Sequence, residues 1–209
     1  MVDYDALGEL EDWSYGWKAA LNTDLSDVYV PGEGGDRVIA MIVGEAPGAQ
    51  EEIKRRPFVG KAGIVLRQLM SFANLYTGQT PELGQANCWL TNVVKFRPPR
   101  NRTPYHIEIE SARHGLNMEW RAVGKPTLVI PVGGVALQAV LGKRASILRH
   151  CGERLTRTGT QGTKVIIWPM LHPSYVLRSH STKLEEEVEK DWERLGRWLY
   201  QRDLVGAHG

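Results

Sequence analysis

The chain has 209 residues, 42% of them hydrophobic, with 26 basic and 24 acidic side chains and a formal net charge of +2. That length favours one domain with one substantial core, read here as a single domain over residues 1–209, and the near-even balance excludes a partner chosen by global charge alone. Two cysteines, Cys88 and Cys151, exclude a disulfide framework, and no Cys-x-x-Cys pair suggests zinc or redox chemistry.

The opening "MVDYDALGELEDW" has no basic flank leading into an apolar core, and no apolar run approaches the roughly 18 residues that span a bilayer. A soluble, cytoplasmic protein with no membrane partner is expected. Leu7, Leu10, Trp13 and Trp17 recur at helical spacing and predict an amphipathic helix over Asp5 to Leu21. After the punctuation "VPGEGGD", four β-branched apolar runs follow: Arg37 to Gly44, Cys88 to Val94, Thr127 to Gly133 and Lys164 to Met170. Their continuity is that of strands buried on both faces. Helical patterns separate them over Gly63 to Leu75, Tyr105 to Val123 and Gly133 to Gly142, and a charged helix from Leu184 to Tyr200 closes the series. Strands alternating with helices predict an α/β fold, a three-layer α/β/α sandwich around a central four-stranded parallel sheet.

In such a sheet "GEAPG", "KFRPPRNR", "GGVAL" and "LHPSYVLR", each following one of the four strands, fall along one edge. That edge is where open α/β sheets bind ligands. A nucleotide is a poor fit. "GEAPG" is not G-x-G-x-x-G, and around Gly60-Lys61 the chain has Arg55 where a phosphate loop needs its first glycine and Ala62 where it needs Ser or Thr. No nucleotide cofactor is expected.

The same four loops resemble those of the uracil-DNA glycosylase superfamily, and within it the group called family 4. The resemblance covers about Val38 to Arg178 and rests on "GEAPG…E…RPFVGKAG", "TNVVKFRPPRNRTP", "VIPVGGVA" and "LHPSYVLR" in matching order. It implies a monofunctional glycosylase that takes uracil or a related pyrimidine out of the DNA stack and excises it by hydrolysis. By this resemblance Phe58 stacks on the flat base, and Asn92 accepts from N3–H of uracil while donating to O4, a pairing that suits uracil and mismatches cytosine. His172 would donate to O2 as charge builds on the departing base, and Glu45 is the candidate carboxylate near C1′. Gly44 and Ala46 complete the pocket; many members place Asp where this chain has Ala46. Glu51 matches a family glutamate on the pocket wall, facing the C5 side of the base, and Glu52 beside it is expected to face solvent.

DNA is the implied partner and a monomer the expected state. Lys95, Arg97, Arg100 and Arg102 on the proline-stiffened loop, with Lys61, are the candidates for phosphate contacts. Ser174, Tyr175 and Arg178 are further candidates for DNA contact, with Tyr175, Val176 and Leu177 as candidate wedges between bases.

Two departures from the family stand out. Family 4 members hold a four-iron, four-sulfur cluster on four cysteines, and the matching positions here are Trp17, Ala20, Phe96 and Ala112. With no thiolate left at any of them, no cofactor and no metal are expected, and apolar packing around a buried Trp17 is expected to brace the N-terminal helix. The second is Arg55, where the family has glycine; it is expected to narrow or re-charge the pocket rim. That leaves two alternatives open, a glycosylase for a bulky 5-substituted or hypermodified pyrimidine and a non-catalytic DNA-binding member of the fold.

Overall fold

A computed structural model describes residues 1–76, 87–158 and 162–204. Its centre is a parallel sheet of four strands, β2 (Ala40–Gly44), β3 (Cys88–Asn92), β4 (Leu128–Pro131) and β6 (Lys164–Ile167), in the order β3-β2-β4-β6. The expected four-stranded core is present, but the sheet is wider. Two short strands, β1 (Glu33–Gly34) and β5 (Leu155–Thr158), add antiparallel to β3 and β6 and make it a mixed sheet of six. Neither carried a buried-strand pattern, because β1 is two residues of a glycine-rich turn and β5 is largely exposed.

Alternation along the strands sends side chains to two helical layers. Ala40, Ile42, Cys88, Leu90, Leu128 and Ile130 face one core, against α3 (Lys61–Phe72), α7 (Pro173–Ser179) and α8 (Thr182–Tyr200). Met41, Val43, Trp89 and Val129 face the other, against α4 (His106–Ala122) and α5 (Gly134–Leu141), with α1 (Tyr4–Leu21) packed on α4. The long helices are capped by their own sequence: Asp3 Oδ1 accepts from the Ala6 amide at the start of α1, and Ser181 Oγ from the Leu184 amide at the start of α8.

Three shorter helices, α2 (Ala49–Lys54), α6 (Ile147–His150) and α7, occupy stretches that sequence patterning left as loops. The first two bury no side chain, so no apolar period announces them. For α7 the signal was available, since it begins on Pro173, a residue suited to the first helical position. Among the described residues no helix is long and apolar enough to cross a membrane.

Candidate active site

The parallel strands all end at one edge, where a cleft of about 550 Å³ opens; Glu45, Phe58, Asn92, Gly133, His172 and Arg178 are among the residues lining it. Parallel register sets Gly44, the last residue of β2, directly beside Asn92, the last of β3. Gly44 has no room for a side chain. A Cβ there would fall 2.4 Å from Asn92 Oδ1 and 2.6 Å from Phe58 Cζ, so ring and carboxamide close on the same point at the cleft floor.

The loop after β2 is tied together by Glu51. Its Oε1 accepts from the Gly60 amide at 2.8 Å, joining the first turn of α2 to the N-terminus of α3. Glu51 thus lines the cleft with one oxygen already engaged, while Ala46 lies half-buried on the same loop. Glu45 is half-buried at the cleft, and burial pushes its carboxyl above the ordinary carboxylate value. Glu52, expected in solvent, instead pairs with Arg97 at 3.0 Å.

His172 sits at the N-cap of α7, where its Nδ1 accepts the Ser174 amide at 3.1 Å. With Nδ1 an acceptor, the proton of the neutral ring belongs on Nε2. Burial first, and then the nearby Arg178 charge, push the imidazole below its ordinary value, with Glu51 opposing. Gly133 makes this approach possible: its φ of +95° suits glycine, and a Cβ there would lie 3.1 Å from His172 Cβ.

The basic loop divides. Lys95 is not a phosphate contact. It is 4% exposed and its Nζ pairs with Glu119 of α4 at 2.5 Å, where Glu119 also accepts from Trp89 Nε1 and Thr91 Oγ1. Arg97 is held by Glu52 and by Asn101 Oδ1. Arg102 lines the cleft, but its guanidinium is shared between Glu108 and Asp24 and stacks 3.8 Å from the Tyr105 ring centroid. Arg100 is exposed, with a left-handed φ of 54° and no ion pair among the described residues. Lys61 and Arg178 are exposed at the cleft, Ser174 is half-buried there, and Tyr175 and Leu177 are exposed on α7. Val176 is not a wedge, because it is packed into the core.

Arg55 is exposed and absent from the cleft lining, so it does not narrow the rim. It takes a left-handed φ of 49° as the C-cap of α2, a conformation that glycine adopts at no steric cost.

The four positions that match the family's cluster ligands do not fit a cluster, since Trp17, Ala20, Phe96 and Ala112 offer no thiolate. Cys88 lies in the opposite core and Cys151 beside Asp191. Aromatic packing occupies the place instead. Phe96 is fully buried, with the rings of Trp17 stacked at 6.4 Å and of Tyr15 and Tyr29 at 5.3 and 5.8 Å, and Ala112 lies in the same core. The expected brace is therefore centred on Phe96; Trp17 is half-buried rather than buried, and Ala20 is exposed.

The family described as the uracil DNA glycosylase superfamily matches residues 31–196. A type-4 uracil-DNA glycosylase of Thermotoga maritima is 36% identical over 166 residues, 79% of this chain and 80% of that protein. One of Pyrobaculum aerophilum is 37% identical over 165 residues, 78% of this chain and 79% of its own length. One of Archaeoglobus fulgidus is 32% identical over 172 residues, 80% of each.

Proposed function

Because the chain belongs to the uracil DNA glycosylase superfamily, we propose that it is a monofunctional DNA glycosylase that hydrolyses the N-glycosidic bond of uracil. The observation that carries this reading is the convergence of Phe58 and Asn92 on Gly44, which sets an aromatic ring at the cleft beside a carboxamide that offers one acceptor and one donor. A flipped uracil stacks on the ring and gives its N3–H to Asn92 Oδ1, while the amide nitrogen donates to O4. Cytosine offers an acceptor at N3 and a donor at N4, the inverse of that pattern.

As the bond between C1′ and N1 breaks, negative charge grows on the pyrimidine and positive charge on the sugar. The Nε2–H of neutral His172 donates to O2, and a preorganised donor of this kind is worth about 10²–10³ in rate. Glu45 attracts the cationic sugar and takes a proton from the water whose oxygen bonds to C1′; a carboxyl raised by burial is a better base for that step. The base leaves as its anion and takes up a proton from solvent, Glu45 gives the water-derived proton back to solvent, and the products are uracil and an abasic sugar.

DNA reaches the cleft past Lys61, Arg100 and Arg178, and no second copy of the chain is needed to complete the site. The bulky-pyrimidine alternative drew on Arg55 at the rim, and the position of Arg55 outside the cleft removes that support. Incubation with an oligonucleotide carrying one uracil, followed by alkali, tests the reading: release of free uracil and an alkali-labile site supports it, and intact bound DNA defeats it.

A further inference from the structure

We propose that Arg67 is a positioning residue of the base pocket, holding Phe58 in place from behind with Glu33 as its anchor. The inference rests on the stacking role proposed above for Phe58.

Phe58 has φ of +55°, in the left-handed region that side chains disfavour. Something must hold it there. Arg67, in the second turn of α3 and only 4% exposed, donates through Nη1 to the Phe58 carbonyl and, at 3.5 Å, to that of Gly63. Its Nη2 reaches Glu33 Oε1 at 3.3 Å, and the other carboxylate oxygen of Glu33 takes Arg56 Nε at 2.6 Å. One carboxylate therefore grips both sides of Pro57-Phe58. Gly63 sets the floor under the turn, because a Cβ there would lie 1.8 Å from the Phe58 carbonyl oxygen.

Glu33 belongs to β1, which among the described residues pairs with β3 alone, and it sits opposite Leu90, two residues before Asn92. The ring and the carboxamide that meet at Gly44 are thus referred to one frame: Asn92 directly through β3, Phe58 through β1, Glu33 and Arg67. A buried guanidinium must recover its desolvation through such contacts, and Arg67 Nε still lacks a hydrogen-bond partner among the described residues. Lysine carries the charge but not the fork that reaches a carbonyl and a carboxylate together.

The test compares Arg67→Met, Arg67→Lys, Glu33→Gln and Phe58→Ala in single-turnover excision of uracil, binding to abasic DNA, and thermal unfolding, all at a temperature where each variant is folded. Arg67→Met is expected to slow the chemical step about 10- to 100-fold, with abasic-DNA affinity within about twofold of the parent. Arg67→Lys should recover only part of the loss, and Glu33→Gln should lose about 3- to 10-fold. Parent-like excision by Arg67→Met, or by both Arg67→Lys and Glu33→Gln if Arg67→Met does not fold, overturns the proposal when Phe58→Ala is slow. Parent-like excision by Phe58→Ala overturns the stacking role itself, and the proposal with it.

Discussion

The carboxamide of Asn92 and the ring of Phe58 meet at one point, the place where Gly44 lacks a Cβ, 2.4 Å from one and 2.6 Å from the other. Gly44→Ala should therefore displace the ring or the amide without breaking β2, whose backbone pairing to β3 does not involve the side chain. A fall in excision of at least about 100-fold, equivalent to about 2.7 kcal/mol of barrier, is expected with far-ultraviolet dichroism unchanged. Asn92→Ala should match it in rate and leave binding to abasic DNA close to that of the parent.

The state of His172 sets the pH response. Its pKa lies below the ordinary imidazole value of 6.5, so the neutral ring persists as pH falls past 6.5 and is lost only when pH falls through the lowered value. Glu45, raised by burial, must be ionised to act as a base, and its ionised form is also lost on the acid side. The single-turnover rate should be flat on the alkaline side and fall toward acid as the first of these two groups takes up a proton. His172→Gln should lower that plateau about 100-fold. A rate that climbs as the imidazole becomes protonated would show that the cation, not the neutral ring, is the working form.

Arg100 and Lys95 stand five residues apart in one basic loop and should behave differently. Arg100→Ala should weaken DNA binding about evenly across sequences and reduce the salt slope by about 1, as loss of one phosphate contact does. Lys95→Met should leave that slope alone. It strands Glu119, which is fully buried, so unfolding should become easier by about 3–5 kcal/mol. Equal salt slopes for the two variants would put Lys95 back on the DNA.

That contrast marks the boundary of what the sequence could say. The four parallel strands and the cleft edge were legible because β-branched runs such as "RVIAMIVG" have no other use for their hydrophobicity, and the placement of Phe58, Asn92 and His172 at that edge because each lies in a motif at or beyond the end of a strand. Lys95 was misread since its partner Glu119 is 24 residues away on α4, and only the packing of that helix on β3 buries the pair. Arg67 did leave a trace: it falls on the apolar face of α3 with Gly63, Leu66 and Met70, an unusual place for a charge. β1 left none, since Glu33 and Gly34 owe their strand geometry to Leu90 and Trp89.

The aromatic brace should be ranked by burial. Phe96→Ala, at a fully buried site touched by three aromatic rings, should cost about 3–5 kcal/mol, and Trp17→Ala, half-buried on the helix side, distinctly less. Denaturant titration gives both values. The purified protein should carry no stoichiometric iron or acid-labile sulfide, since no thiolate stands at the four cluster positions; about four irons per chain would refute the repacking account.

The most direct test is single-turnover base release from matched oligonucleotides carrying one uracil or cytosine, read by chromatography of the free base and by strand cleavage before and after alkali. The account predicts free uracil, no release of cytosine on the same timescale, strands intact until alkali is added, and uracil release by Asn92→Ala at least about 100-fold slower than by the parent. Tight binding of the uracil strand without release of any base, or release of cytosine as fast as uracil, would contradict it.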